Sequence, residues 1–385
     1  MKRITLLLIV VVAFAVFNNP IKIVKADSLS EAINEQLGNL ELGELEAFYN
    51  SIIGENNTEN GFYVLINQLI DGNFFTDYDS VVSAIKEFVV NDFLTFTPSL
   101  VSIVVLAIIT SVIHNFRAKR TGDSVKTIVS LTCTTCIIIL ISKEIFAIYD
   151  KVQIAIENMS KLNDIMSPII LTLMVASGGS VSASIYKPSV VFLTTGFTNI
   201  VLFLALPLVA LSTVFSVISS ISNNIKLTNF SDFFSTTFKW IIGLSVTISG
   251  LFISIQGLSA GIIDGVSIKA MKYAVTNSVP IIGGFLRDGL DVLTCGSVII
   301  KNVIGVSGLI GIFYILFSPV LHMIVFSLGL KFVSGVVQPF CDNKISSLIT
   351  SFSKSVTSMI ICVLVVSFMF FVSTLLLIIS SNSFI

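Results

Sequence analysis

The chain is poor in charge: Lys, Arg, Asp and Glu together make up 12% of its 385 residues, about half the ~25% usual for soluble domains. That shortage excludes an ordinary water-soluble globule. Histidine is scarcer still, with His114 and His322 the only two, so no H-E-x-x-H zinc motif exists, and no G-x-x-x-x-G-K-[ST] loop is present for a nucleotide. Cysteine is absent before Cys133, so no disulfide can staple the N-terminal third. Cys133 and Cys136 form a C-x-x-C, but in an apolar run with no second pair and no nearby histidine they read as small packing residues, not metal ligands or a redox pair. Tryptophan occurs once and proline eight times.

What fills the chain instead is apolar: 54% hydrophobic residues and a mean hydropathy of +0.97, the signature of an all-α polytopic membrane protein. Residues 1–26 carry Lys2 and Arg3, an apolar run from Ile4 to Phe17 and a small-x-small end at Val24-Lys25-Ala26. This reads as a secretory signal peptide, with a retained signal anchor as the alternative. Between Asp27 and Asp92 thirteen acidic residues stand against Lys86 alone, a net of −12, whereas residues 93–385 net +7. Residues 27–95 are therefore expected to form a small acidic extracytoplasmic helical domain and residues 96–385 the polytopic transmembrane domain. In the acidic part Leu29, Ile33, Leu37 and Leu40, then Leu45, Phe48 and Ile52, recur at helical spacing between glutamates. So short a segment has a thin core and should lean on a partner or on the membrane domain. Its charge also argues against nucleic acid as a partner.

Seven runs are long or apolar enough to be read as spans: Phe96–Ile113, Thr127–Ile141, Ile165–Tyr186, Trp240–Ile263, Val298–Phe317, Val320–Gln338 and Val356–Ile379. A further run from Ser189 to Ile221, interrupted by Pro207, raises the expected range to 7 to 10. Arg117, Lys119, Arg120 and Lys126 place the first loop in the cytoplasm. Pro168 and Pro280 stand 112 residues apart, as do Pro207 and Pro319. If this marks a weak internal repeat, Ser189–Ile221 should turn at Pro207.

Charges within apolar sequence are the candidate site. Arg287, Asp288 and Asp291 fall within one helical turn after an apolar piece too short to span, consistent either with a broken or re-entrant helix lining a path or with an amphipathic surface helix. Ser327, Lys331, Ser334 and Gln338 follow at i, i+4, i+7 and i+11, a polar stripe expected to turn inward with Lys331 at its centre. Lys301 sits close enough to a span's end to snorkel to the surface. The run Ala176–Ser184, ASGGSVSAS, suits close helix packing or local unwinding. Gly305-Val306-Ser307-Gly308 matches the G-x-S-G of intramembrane proteases, but lacks a correctly placed histidine. No catalytic residue, cofactor or metal site is expected.

Four motifs follow one another along the chain: SGG at Ser177–Gly179, S-V-P-x-x-G-G with acidic positions at Ser278–Asp291, K-N-x-x-G-x-x-G at Lys301–Gly308 and V-Q-P-x-x-D at Val337–Asp342. In this order they resemble the stage III sporulation protein AE family of endospore-forming Firmicutes. The resemblance implies a component of the channel-like complex joining mother cell and forespore. It also implies placement in the outer forespore membrane with the acidic domain in the intermembrane space, and partners from one operon, including an ATPase, with a forespore membrane protein as an indirect partner. It supplies no catalytic residues. The expectation is a scaffold or permease-like core of that complex; the alternative is a self-contained secondary transporter using Arg287, Asp288, Asp291 and Lys331.

Overall fold

Helices account for all the regular structure in the described part of the computed structural model, which covers residues 42–53, 94–109, 123–221, 227–256, 283–339 and 343–380 and a few isolated positions. No strand occurs among them. The expected signal peptide, the first basic loop at Arg117–Arg120 and Pro280 lie outside the described residues.

α1 (Gly43–Ile53) is short and amphipathic, with Leu45 and Tyr49 buried and Glu44 exposed. α2 (Leu94–Ile109) buries Phe96, Leu100, Ile103 and Ala107 at i, i+4, i+7 and i+11 and leaves its other apolar face open. Three much longer helices follow the same logic: α3 (Asp123–Ala176), α6 (Gly283–Val337) and α7 (Asn343–Ile379). Between them, α4 runs without interruption from Ser180 to Ile221, and α5 (Thr228–Gln256) packs chiefly on α4.

Paired contacts fix how these helices lie. Lys151 meets His322, Leu162 faces Gly311 and Met166 faces Gly308, so α3 and α6 run antiparallel. Ser327 pairs with Ser353, Ser334 with Ser346 and Lys301 with Ile378, which sets α7 antiparallel to α6. Thr213 donates to Ser355 at 2.6 Å and Ser380 at the end of α7 meets Met174 just before α4 begins, placing α4 antiparallel to α7, and Ser212 clasps Ser231 of α5. The core is thus a four-helix arrangement of α3, α4, α6 and α7 with α5 outside it. α1 and α2 share the same hydrophobic cluster as the long helices.

Five helices among the described residues are long and apolar enough to cross a membrane, fewer than the seven runs read from the sequence. Two pairs of expected spans prove to be single helices. Thr127–Ile141 and the first part of Ile165–Tyr186 both belong to α3, because most of the charged residues between them, Lys143, Glu144, Lys151, Glu157 and Lys161, are good helix formers. Val298–Phe317 and Val320–Gln338 both belong to α6, which passes through Pro319 unbroken. At 1.5 Å per residue the 55 residues of α6 reach about 80 Å, well beyond the ~30 Å of a hydrocarbon core.

Pro207 does not turn the chain. A widened π segment, Val201–Ala205, lies just before it, making room where the proline ring would crowd the carbonyl of Phe203 and where an N–H is missing. The small-residue run at Ala176–Ser184 makes the turn instead. Gly178 adopts φ 91°, its N–H bonds the Val175 carbonyl and the Gly179 N–H bonds the Met174 carbonyl. This is a Schellman stop, and it needs a residue that tolerates the left-handed region.

Candidate functional site

The polar stripe on α6 divides in two. Ser327 and Ser334 are buried in reciprocal clasps with α7: Ser353 Oγ donates to the Ser327 carbonyl at 3.0 Å, and Ser334 Oγ to the Ser346 carbonyl at 3.0 Å. Thr357 and Thr350 join the two clusters. Lys331, expected to face inward, is exposed, as is Gln338. The buried seam centres on Leu330, Ser334 and Val337, and Lys331 follows Leu330 by one residue, about 100° further round the helix. Lys331 therefore leaves the stripe that its spacing had suggested.

Arg287, Asp288 and Asp291 lie on the opening turns of α6, which continue unbroken into the rest of the helix. No broken or re-entrant segment occurs at these positions. They precede the level at which Lys301 meets the last turn of α7, so this end of α6 projects past the end of its partner. Asp291 is half-buried, and the side chains of Arg287 and Asp288 fall outside the described residues.

Lys301 reverses expectation in the other direction. Instead of snorkelling, it is 0% exposed and donates to the Ile378 carbonyl at 2.8 Å. The last carbonyls of a helix lack intrahelical partners and carry the negative end of its dipole. Here Leu376 is bonded by the Ser380 N–H, Leu377 by Ser380 Oγ and Ile378 by Lys301, which completes a buried cap on α7. Nothing local in the sequence announced this contact across 77 residues.

Beside this cap α6 presents glycines to its neighbours. A Cβ on Gly305 would stand 2.4 Å from Ile378, and one on Gly308 would stand 1.9 Å from Met166. Helices with small residues at the interface approach closely. Tyr49 of α1 fills the next notch, its ring against Gly311 and its hydroxyl donating to the Ser307 carbonyl. Burial holds that hydroxyl protonated well above the usual tyrosine range. The G-x-S-G motif is thus a docking notch.

One polar face went unnoticed in the sequence because it lay between two apolar runs. Asp150, Gln153, Glu157, Lys161 and Asp164 recur at i, i+3, i+7, i+11 and i+14 along α3, with Glu157 half-buried and the others exposed. Gln153 donates to Glu157 at 2.9 Å. The contacts of Lys151 with His322 and Leu162 with Gly311 set this stretch level with a part of α6 that has no Asp, Glu, Lys or Arg. Flanking rungs at Ser327–Ser353 and Lys301–Ile378 set it level also with residues 355–378 of α7, equally free of charge. Turning four charges into acyl chains at roughly 2.5–3.5 kcal/mol each would cost about 10 kcal/mol, a domain's whole stability. At one end of the stripe a groove of about 460 Å³ opens between α3 and α4, lined by Asp164, Ser167, Thr172, Ser184, Lys187 and Thr194 among others.

The family model described as stage III sporulation protein AE matches residues 61–381, a range that takes in the whole helical core. The chain belongs to that family. It is 27% identical over 228 residues to the stage III sporulation protein AE of Bacillus subtilis (strain 168). The match covers 59% of this chain and 57% of that relative's length. No solved structure matches it.

Proposed function

We propose that this chain is the membrane-embedded, permease-like core of the channel-like complex through which a mother cell sustains its forespore. Family membership over residues 61–381 carries the sporulation role, and the charged α3 face at the level of uncharged α6 and α7 supports a place beside a hydrated route. The reading puts the chain in the outer forespore membrane. An ATPase and other membrane proteins of the same operon are its partners, and a forespore membrane protein is an indirect one. It has no catalytic role of its own.

Charge sorting supports an orientation. Lys126, Lys331, Lys344 and Lys354 gather toward the end where α6 turns into α7, the end that α3 enters after the basic loop. Glu44 and Glu46 belong to α1, which docks through Tyr49 at Ser307 and Gly311, in the part of α6 nearer Lys301 than the α6–α7 turn. Positive charge marks the cytoplasmic side, so α1 faces the intermembrane space.

Co-purification of the tagged chain from sporulating membranes tests this directly. Recovery of the operon's ATPase and membrane proteins, with a deletion strain arresting after engulfment, is the expected result; a chain that purifies alone sinks the proposal. Among the described residues the groove holding Asp164 and Lys187 favours a self-contained secondary transporter, and solute uptake by the purified chain in liposomes would establish that reading instead.

A further inference from the structure

The charges of the α3 stripe are costly to set against lipid, and among the described residues nothing encloses them, since the stripe lies on the outside of the four-helix core. We infer that several copies of this chain stand around a common axis with the Asp150–Asp164 face of α3 turned inward, so that the face lines a hydrated lumen. This rests on the proposed channel role and deepens it by naming the wall.

The pattern of charges distinguishes a wet lumen from a dry interface. Rotational symmetry about the membrane normal places identical residues level with one another. Asp150, Glu157 and Asp164 then become three carboxylate rings separated by seven residues, about 10 Å each along the helix. Like charges brought together in a dry contact repel strongly in a low dielectric, so the rings require water between copies. Lys161 supplies a single basic ring between the second and third carboxylate levels. Rings of acidic side chains favour cations over anions in membrane pores. Gln153 bridges toward Glu157 and holds part of the stripe in register. Apolar exposed residues on α5, including Leu244 and Leu251, supply the lipid-facing contrast. α5 stands at the same level through Ser212–Ser231 and the Phe192–Phe252 ring contact.

Site-directed spin labels read this out in the full-length chain reconstituted in bilayers. In a background with the native cysteines replaced, and checked for sporulation, single cysteines are introduced as Asp150→Cys, Glu157→Cys and Asp164→Cys, with Leu244→Cys and Leu251→Cys as controls. Labels at 150, 157 and 164 should collide several-fold more with a water-soluble nickel chelate than with oxygen, and the α5 controls should show the reverse. A bis-maleimide should link Glu157→Cys chains to one another. Oxygen-dominated collisions at the stripe, or low collision with both reagents as in a packed contact, overturn the inference. Nickel-dominated collisions at the controls as well would show that this level lies outside the bilayer and also overturn it. A hydrated stripe with no chain-to-chain link removes the symmetric assembly. A strain that still sporulates on such a variant leaves the channel role standing while the lumen assignment falls.

Discussion

Tyr49 and Gly311 should be energetically coupled, and a double-mutant cycle measures the coupling. An alanine Cβ at 311 would fall 2.8 Å from Leu162 Cδ2, 2.8 Å from Tyr49 Oη and 3.2 Å from Tyr49 Cζ. Overpacking of this kind costs about 1–3 kcal/mol, while exchanging glycine for alanine inside a helix returns about 1 kcal/mol. The clash wins at 311. At Gly335 on the same helix a Cβ meets nothing within 4 Å, so Gly335→Ala should keep only the gain. Tyr49→Phe removes a buried donor to the Ser307 carbonyl and costs about 0.5–1.5 kcal/mol, because the ring still fills the notch. In the double variant Gly311→Ala with Tyr49→Phe, one of the two closest clashes is gone, so the loss should fall short of the two single losses combined by about 0.5 kcal/mol or more. SDS-driven unfolding of the full chain in mixed micelles, followed by circular dichroism, supplies the four free energies. Strict additivity, or a Gly311→Ala chain as stable as Gly335→Ala, would refute the docking of α1 in the α6 notch.

Three further outcomes follow from the geometry. Lys301→Glu should abolish accumulation of the chain in membranes, because a carboxylate would oppose the Ile378 carbonyl at the negative end of α7; immunoblots of membrane fractions check this, and normal levels refute the cap. Ser353→Ala should cost about 0.6 kcal/mol, an average interhelical hydrogen bond in a membrane, whereas Ser353→Leu should force α6 and α7 apart and cost several times more in the same SDS titration. Lys331→Ala should leave the unfolding free energy within about 0.5 kcal/mol of the parent, since the side chain is exposed; a large loss would restore the inward placement.

The helical class was legible because it follows from composition and from apolar periods, which are local properties. Ser327 and Ser334 were legible for the same reason: two small hydroxyls seven residues apart mark one face of a helix. Lys331 shared their spacing but not their face, and four-residue steps drift round the helix far enough for the difference to matter. Lys301 was unreadable because its burial depends on where α7 ends, a long-range fact. The α3 stripe was hidden for another reason. Its charges interrupt an apolar run, and an interruption reads as a boundary even where Lys and Glu continue a helix readily. Pro168, Pro207 and Pro319 compounded this, since each sits inside a helix where proline usually signals a break.

The two serine clasps between α6 and α7 act together as a vernier. Both close in one register, and a displacement of one residue would open both. A slide of four residues, about 6 Å, sets Ser327 opposite Thr357 and Ser334 opposite Thr350, so both clasps close again one turn away. Gradual piston motion of one helix along the other is therefore barred. Rearrangement within this bundle must proceed by tilting about the clasps or by a discrete one-turn jump.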